Sequence, residues 1–144
     1  MLFGETFKEL SEQERLRQVK YIPLRSLAHL GDAVFELFER ERELLASVTV
    51  KKLHDQVVSR VNSKEQARLL EVLKPNLTED ELDIVRRARN LKPAGFRRNV
   101  EQTVLRQATA FEALIGYRFL TDEKRLKALL DLTNETDLPV KVSN

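Results

Sequence analysis

The chain has 144 residues, 42% hydrophobic and 33% charged, with a formal net charge of only +2; this describes one ordinary globular domain that buries roughly two thirds of its unfolded surface. It has no cysteine and two histidines, which excludes a disulfide framework, a thiolate zinc site and a cysteine nucleophile, and leaves carboxylates as the groups able to carry chemistry. No apolar run approaches the roughly 18 residues of a membrane span, and Met1 to Glu5 lack a basic region followed by an apolar one, so a cytoplasmic protein is the expectation.

Four prolines, four glycines and no sustained alternation of β-branched and polar residues predict an all-α protein. In chain order the spacing predicts helices over 6–19, 23–45, 50–61, 64–73, 79–90, 101–120 and 122–132, about seven in all. Pro23 suits a first helical position, and Lys74-Pro75-Asn76 separates two helices. Ser63 with Gln66, and Thr78 with Glu81, have capping-box spacing. Residues 1–20 read as an N-terminal helical extension, 21–132 as the principal domain and 133–144 as a polar tail. The longest break, 91–100, is a basic loop.

On the helix from Pro23, a 100° advance per residue places Leu24, Leu27, Gly31, Val34, Phe35 and Phe38 on one face, with Leu30, Ala33 and Leu37 beside it, so that most of the circumference is expected to be buried. The remaining stripe holds Arg25, His29, Asp32, Glu36, Glu39 and Arg40. On the helix over 101–120, the positions three and four residues from Glu112 are Ala108, Thr109, Ile115 and Gly116, and none of them offers Glu112 a charged partner. A carboxylate there is costly unless another element supplies a proton, a cation or a metal.

Glycine inside a helix costs about 1 kcal/mol relative to alanine. Gly31 and Gly116 both bear that cost, one beside Asp32 and the other one turn beyond Glu112. Either the two helices cross closely at these glycines or a bulky ligand approaches them. If the helices cross, Asp32 and Glu112 meet and repel, and a hard divalent ion such as magnesium resolves the conflict.

These residues resemble a known family. Leu24-Arg25-Ser26-Leu27-Ala28-His29-Leu30-Gly31-Asp32-Ala33-Val34-Phe35-Glu36-Leu37 is similar to the signature helix of the ribonuclease III fold, and Thr109-Ala110-Phe111-Glu112-Ala113-Leu114-Ile115-Gly116 to its second catalytic helix. The short chain, with Arg86-Arg87-Ala88-Arg89-Asn90 ahead of the basic loop, most resembles the mini-ribonuclease III branch, which lacks a double-stranded-RNA-binding domain. The resemblance spans about Tyr21 to Leu120 and implies a single ribonuclease III-type nuclease domain. It also implies that Asp32 and Glu112 are catalytic and bind the metal. The longer enzymes carry further carboxylates at the positions held here by Ala28, Arg25 and Thr109, so one well-held ion is the expectation. Glu36, His29 and Thr109 are candidates for orienting its waters.

The resemblance further implies magnesium-dependent cleavage of double-stranded RNA to 5′-phosphate and 3′-hydroxyl ends, with manganese as a substitute ion. Maturation of precursor large-subunit (23S) ribosomal RNA, a homodimer with one site per strand, and stimulation by a ribosomal protein follow by the same analogy. RNA must then be held by the nuclease domain itself. Residues 1 to 45 carry seven basic against nine acidic residues, whereas Arg86 to Arg106 carry seven basic residues against Glu101 alone. Arg86, Arg87, Arg89, Lys92, Arg97 and Arg98 are therefore the expected RNA contacts. Val34, Phe35, Phe38 and Phe111 suit either a dimer seam or the core. The alternatives are a non-catalytic RNA-binding module of a ribonucleoprotein and a helical protein that docks an acidic partner through its basic loop.

Overall fold

The computed structural model of the chain describes residues 5–46, 49–92 and 101–137. Within them the protein is all-α: α1 (Glu5–Lys8), α2 (Glu12–Val19), α3 (Leu24–Ala46), α4 (Val50–Val61), α5 (Ser63–Leu73), a 3-10 turn (Lys74–Asn76), α6 (Glu79–Arg89), α7 (Gln102–Thr121) and α8 (Glu123–Asp137).

Three boundaries differ from the sequence reading. The first predicted helix is broken at Ser11, whose hydroxyl accepts the Glu14 amide at 3.1 Å and starts α2 afresh, while Arg15 donates to the Leu10 carbonyl at 2.7 Å. Asn62, not Ser63, caps α5, its Oδ1 accepting the Glu65 amide at 2.9 Å. Helix α8 runs to Asp137, five residues into the segment read as a tail. The capping box of α6 forms as its spacing predicts: the Glu81 amide donates to Thr78 Oγ1 at 3.2 Å, and Glu81 Oε1 accepts the Thr78 amide at 2.9 Å.

Helix α7 is the axle. From Ala108 to Arg118 it is buried at every position except Thr109 and Glu112, because α3, α5, α6 and α8 pack around it. The core is built from Leu27, Phe35, Leu69, Leu73, Phe111 and Leu114 with their neighbours. Helix α3 is less enclosed than its sequence suggests. Leu37 is 55% exposed and Ala33 is exposed, whereas Glu39, assigned above to the polar stripe, is fully buried. That carboxylate accepts from Arg42 at 2.6 Å and lies 3.8 Å from Arg60 of α4. Ion pairing from a second helix makes its burial tolerable, and no spacing within α3 reveals that helix.

Candidate active site

The closest approach of α3 and α7 is backbone against backbone. A Cβ built on Gly31 would lie 1.7 Å from the Glu112 carbonyl oxygen and 2.8 Å from the Gly116 amide nitrogen; one built on Gly116 would lie 2.0 Å from the Leu27 carbonyl oxygen. Neither position has room for any side chain, so of the two explanations for the glycines the close crossing is the one the fold adopts. One turn along, Phe35 of α3 and Phe111 of α7 pack edge to face, with ring centroids 5.0 Å apart and planes at 82°, both buried. This pair locks the rotation of the two helices against each other.

The crossing brings Asp32 and Glu112 together. Asp32 follows Gly31 on the exposed side of α3, and Glu112 projects from α7 beside it, half-buried. Burial, the negative charge of Asp32 and a hydrogen bond to the Asp32 carboxyl push the Glu112 carboxyl up to about 8. At neutral pH the metal-free pair therefore carries a proton on Glu112. Such a pair is a hard, oxygen-only donor set with one carboxylate per helix. Among the described residues no group of three or more His, Cys, Asp or Glu side chains is placed to hold a metal. A closed zinc cage is thus not what these residues build, whereas an ion that takes one or two carboxylates and completes its shell with water and phosphate oxygens fits them.

The remaining candidates spread out around this pair. His29 and Glu36 are exposed on the same stripe of α3, Glu36 lying 3.6 Å from Arg40. Thr109, one turn before Glu112, is half-buried and donates its hydroxyl to the Leu105 carbonyl at 2.9 Å. Phe35 and Phe111 belong to the core, and Val34 and Phe38 pack partly against it.

Of the basic residues, Arg86 and Arg87 share Asp83, the second at 3.7 Å, while Arg89 and Lys92 stand exposed at the end of α6. Arg97 and Arg98 lie outside the described residues. The C-terminal half of α6 is thus basic, although its first turn carries Glu79, Asp80 and Glu81.

Two features escaped the sequence reading. Glu81 is fully buried and accepts from Arg118 at 2.6 Å and from Arg125 at 2.9 and 2.8 Å, joining α6 to α7 and α8. Burial alone would raise its pKa, but the hydrogen bonds from Arg125, the Thr78 amide and Arg118 outweigh it and hold the carboxyl at about 2. Arg25, noted above as a member of the polar stripe and as a departure from the longer enzymes, bridges α3 to the chain just past α6. The capping-box motif was the one sequence signal at Glu81, and it did not announce the two arginines.

An all-α domain whose acidic pair sits at a glycine-to-glycine helix crossing defines a ribonuclease III-type nuclease domain. A family model described as the ribonuclease III domain matches residues 25–123, which include both carboxylates and both glycines. Proteins named Mini-ribonuclease 3 are similar over most of the chain. The one from Gloeobacter violaceus is 44% identical over 118 residues, covering 82% of this chain and 87% of that protein; the one from Symbiobacterium thermophilum is 41% identical, covering 81% and 91%. The crystal structure of a Fusobacterium nucleatum protein superposes with a TM-score of 0.75 at 29% identity, covering 83% of this chain and 98% of that one. The chain belongs to the ribonuclease III family, in its mini-ribonuclease III branch, and is an endoribonuclease that acts on RNA. Among the described residues no helix is long and apolar enough to cross a membrane.

Proposed function

We propose that the protein cleaves double-stranded RNA with magnesium, or manganese in its place, at the Asp32–Glu112 pair, leaving 5′-phosphate and 3′-hydroxyl ends. The observation that carries this reading is the meeting of two carboxyl groups, one of them protonated at neutral pH, on the rigid Gly31–Gly116 crossing. A bound divalent ion supplies charge neutralisation at the attacked phosphate and lowers the pKa of water there. Asp32 and Glu112 would hold such an ion, and Glu112 would have to be deprotonated to do so. The crossing fixes where both carboxylates point, so the reacting groups need little reorganisation. His29 and Glu36, exposed on the stripe of α3 that carries Asp32, are the groups we assign to orienting water there; Thr109 spends its hydroxyl on the Leu105 carbonyl one turn earlier and is a candidate by position alone. No residue of the pair has to act as a general base.

Arg86, Arg87, Arg89, Lys92, Arg97 and Arg98 hold the phosphates of the duplex, which are recognised by shape and charge with little sequence readout. One site faces one strand. We infer a twofold homodimer, supported by the exposed Ala33 and Leu37 on α3 beside a groove lined by Phe38, Leu126 and Leu130. By analogy with the family, we extend this reading to maturation of precursor 23S ribosomal RNA in the cytoplasm, with a ribosomal protein presenting the substrate.

The deciding experiment incubates long double-stranded RNA with the protein, with and without magnesium. Cleavage is expected with the metal and lost in chelator, in Asp32→Asn and in Glu112→Gln, while all three conditions retain RNA binding. Binding without cleavage under every condition would instead favour the non-catalytic RNA-binding module.

A further inference from the structure

Arg25 stands in the first turn of α3, seven residues before Asp32. Seven steps of 100° bring it back to within about 20° of Asp32 around the helix, roughly 10 Å along the axis. The positions three and four residues beyond it are Ala28 and His29, so its own helix offers it no carboxylate. Its guanidinium Nη2 donates instead to the main-chain carbonyl oxygen of Lys92 at 2.5 Å, across 67 residues of sequence. Among the described residues that carbonyl is its one hydrogen-bond partner.

Lys92 lies just past the end of α6. The Asn90 amide closes that helix by donating to the Arg86 and Arg87 carbonyls at 3.2 Å, and the Leu91 amide donates to Ala88 at 3.1 Å. These bonds are all local and orient nothing toward the acidic pair. The bond from Arg25 is different: it ties the outgoing chain to the same stripe of α3 that carries Asp32. At that edge Arg89 and Lys92 are exposed and, among the described residues, make no ion pair.

We propose that Arg25 is a positioning residue for RNA cleavage: by holding the Lys92 carbonyl against the start of α3, it sets Arg89 and Lys92 in register with Asp32 and Glu112, and so selects which phosphate of the bound strand meets the acidic pair. The proposal rests on the nuclease reading given above. It assigns to Arg25 control over where and how well the duplex is seated, with the acidic chemistry left to the other two residues.

The test uses an end-labelled RNA duplex of defined sequence, magnesium and the full-length protein. Wild type is expected to cut at one dominant phosphate. Arg25→Ala is expected to spread cuts onto neighbouring phosphates and to lose about ten- to a hundredfold in kcat/KM, mostly through KM, the scale of a misplaced positioning group. Its melting temperature should stay within a few degrees of wild type, since the bond lies at the exposed surface.

A positioning role leaves the number of phosphate contacts unchanged, so the slope of log affinity against log salt for Arg25→Ala is expected to match that of wild type, measured in the Asp32→Asn background. The proposal is overturned if Arg25→Ala cuts the wild-type phosphate at the wild-type rate. It is equally overturned if Arg25→Ala flattens that slope by about one unit, which would make Arg25 a direct phosphate contact. Wild-type protein that leaves the duplex intact would overturn the nuclease reading as well, and that result is visible before any variant is made.

Discussion

Gly31 and Glu112 share a space that no side-chain carbon fits: a Cβ at Gly31 would come within 1.7 Å of the Glu112 carbonyl oxygen. The backbone of the residue that supplies one carboxylate therefore rests on the residue next to the other carboxylate, Asp32. Helix contact and site geometry are a single feature, and changing one changes the other.

Gly31→Ala and Gly116→Ala should each destabilise the protein, although alanine favours an isolated helix by about 1 kcal/mol. The new methyl meets backbone, which has no rotamer to yield, so the loss should reach or exceed the upper end of the roughly 1–3 kcal/mol typical of overpacking. Urea denaturation measures it. Cleavage should fall further than the stability loss explains, because separating α3 from α7 also parts Asp32 from Glu112; activity that survives at wild-type level would show that the crossing does not set the site.

Metal-free protein should become less stable as pH rises from about 5 to 8. Glu112 titrates near 8 in the fold and near its ordinary value of 4.5 when unfolded. Between those limits the folded state holds more protons, so raising pH favours unfolding. Magnesium replaces the proton, and its binding should release one. The rise in melting temperature caused by magnesium should accordingly be larger at pH 8.5 than at pH 6, and Glu112→Gln should abolish most of that difference. A magnesium shift independent of pH would contradict the pairing.

Glu81 has the opposite sign. Its folded pKa of about 2 lies below the ordinary value of 4.5, so its stabilisation is complete above about pH 4.5 and fades as pH falls toward 2. Glu81→Ala leaves Arg118 and Arg125 without their buried anion, a loss of about 3–5 kcal/mol. Chemical denaturation at pH 7 should show that loss, and it should shrink when the comparison is repeated near pH 3. Because Glu81 joins α6 to α7 and α8, its loss should destabilise the fold without moving the pH dependence of magnesium binding.

Salt dependence separates the basic residues. Arg89 is exposed, whereas Asp83 competes with phosphate for Arg86 and Arg87. Arg89→Ala should flatten the plot of log affinity against log salt by about one unit, and Arg86→Ala or Arg87→Ala by less. Filter binding of double-stranded RNA to the Asp32→Asn protein measures these slopes without cleavage. Equal slopes for all three variants would place no phosphate on Arg89 in particular.

Much of the protein is legible along the chain. Helical periodicity, the Thr78–Glu81 capping box and the proline break after α5 are local constraints, acting over one or two turns, and sequence spacing expresses them directly. The pairing of Asp32 with Glu112 was also accessible, because two glycines bearing an unfavourable helical cost stood beside two carboxylates, and a close crossing was one of the two explanations that covered both. Helix breaks set by competing side chains were less visible: Ser11 caps a new helix inside a stretch that read as one, and Asn62 takes the cap for which Ser63 had the spacing.

What the tertiary structure alone decided is which charges are buried and by whom they are answered. Glu39 looked like one more member of a polar stripe until α4 brought Arg60 to it; Glu81 acquired Arg118 and Arg125 from 37 and 44 residues away, and Arg25 found a carbonyl 67 residues distant. Short-range pattern reports the company a side chain keeps on its own helix. The cost of burying a charge depends on groups delivered by other helices, and these become neighbours only when the chain has packed.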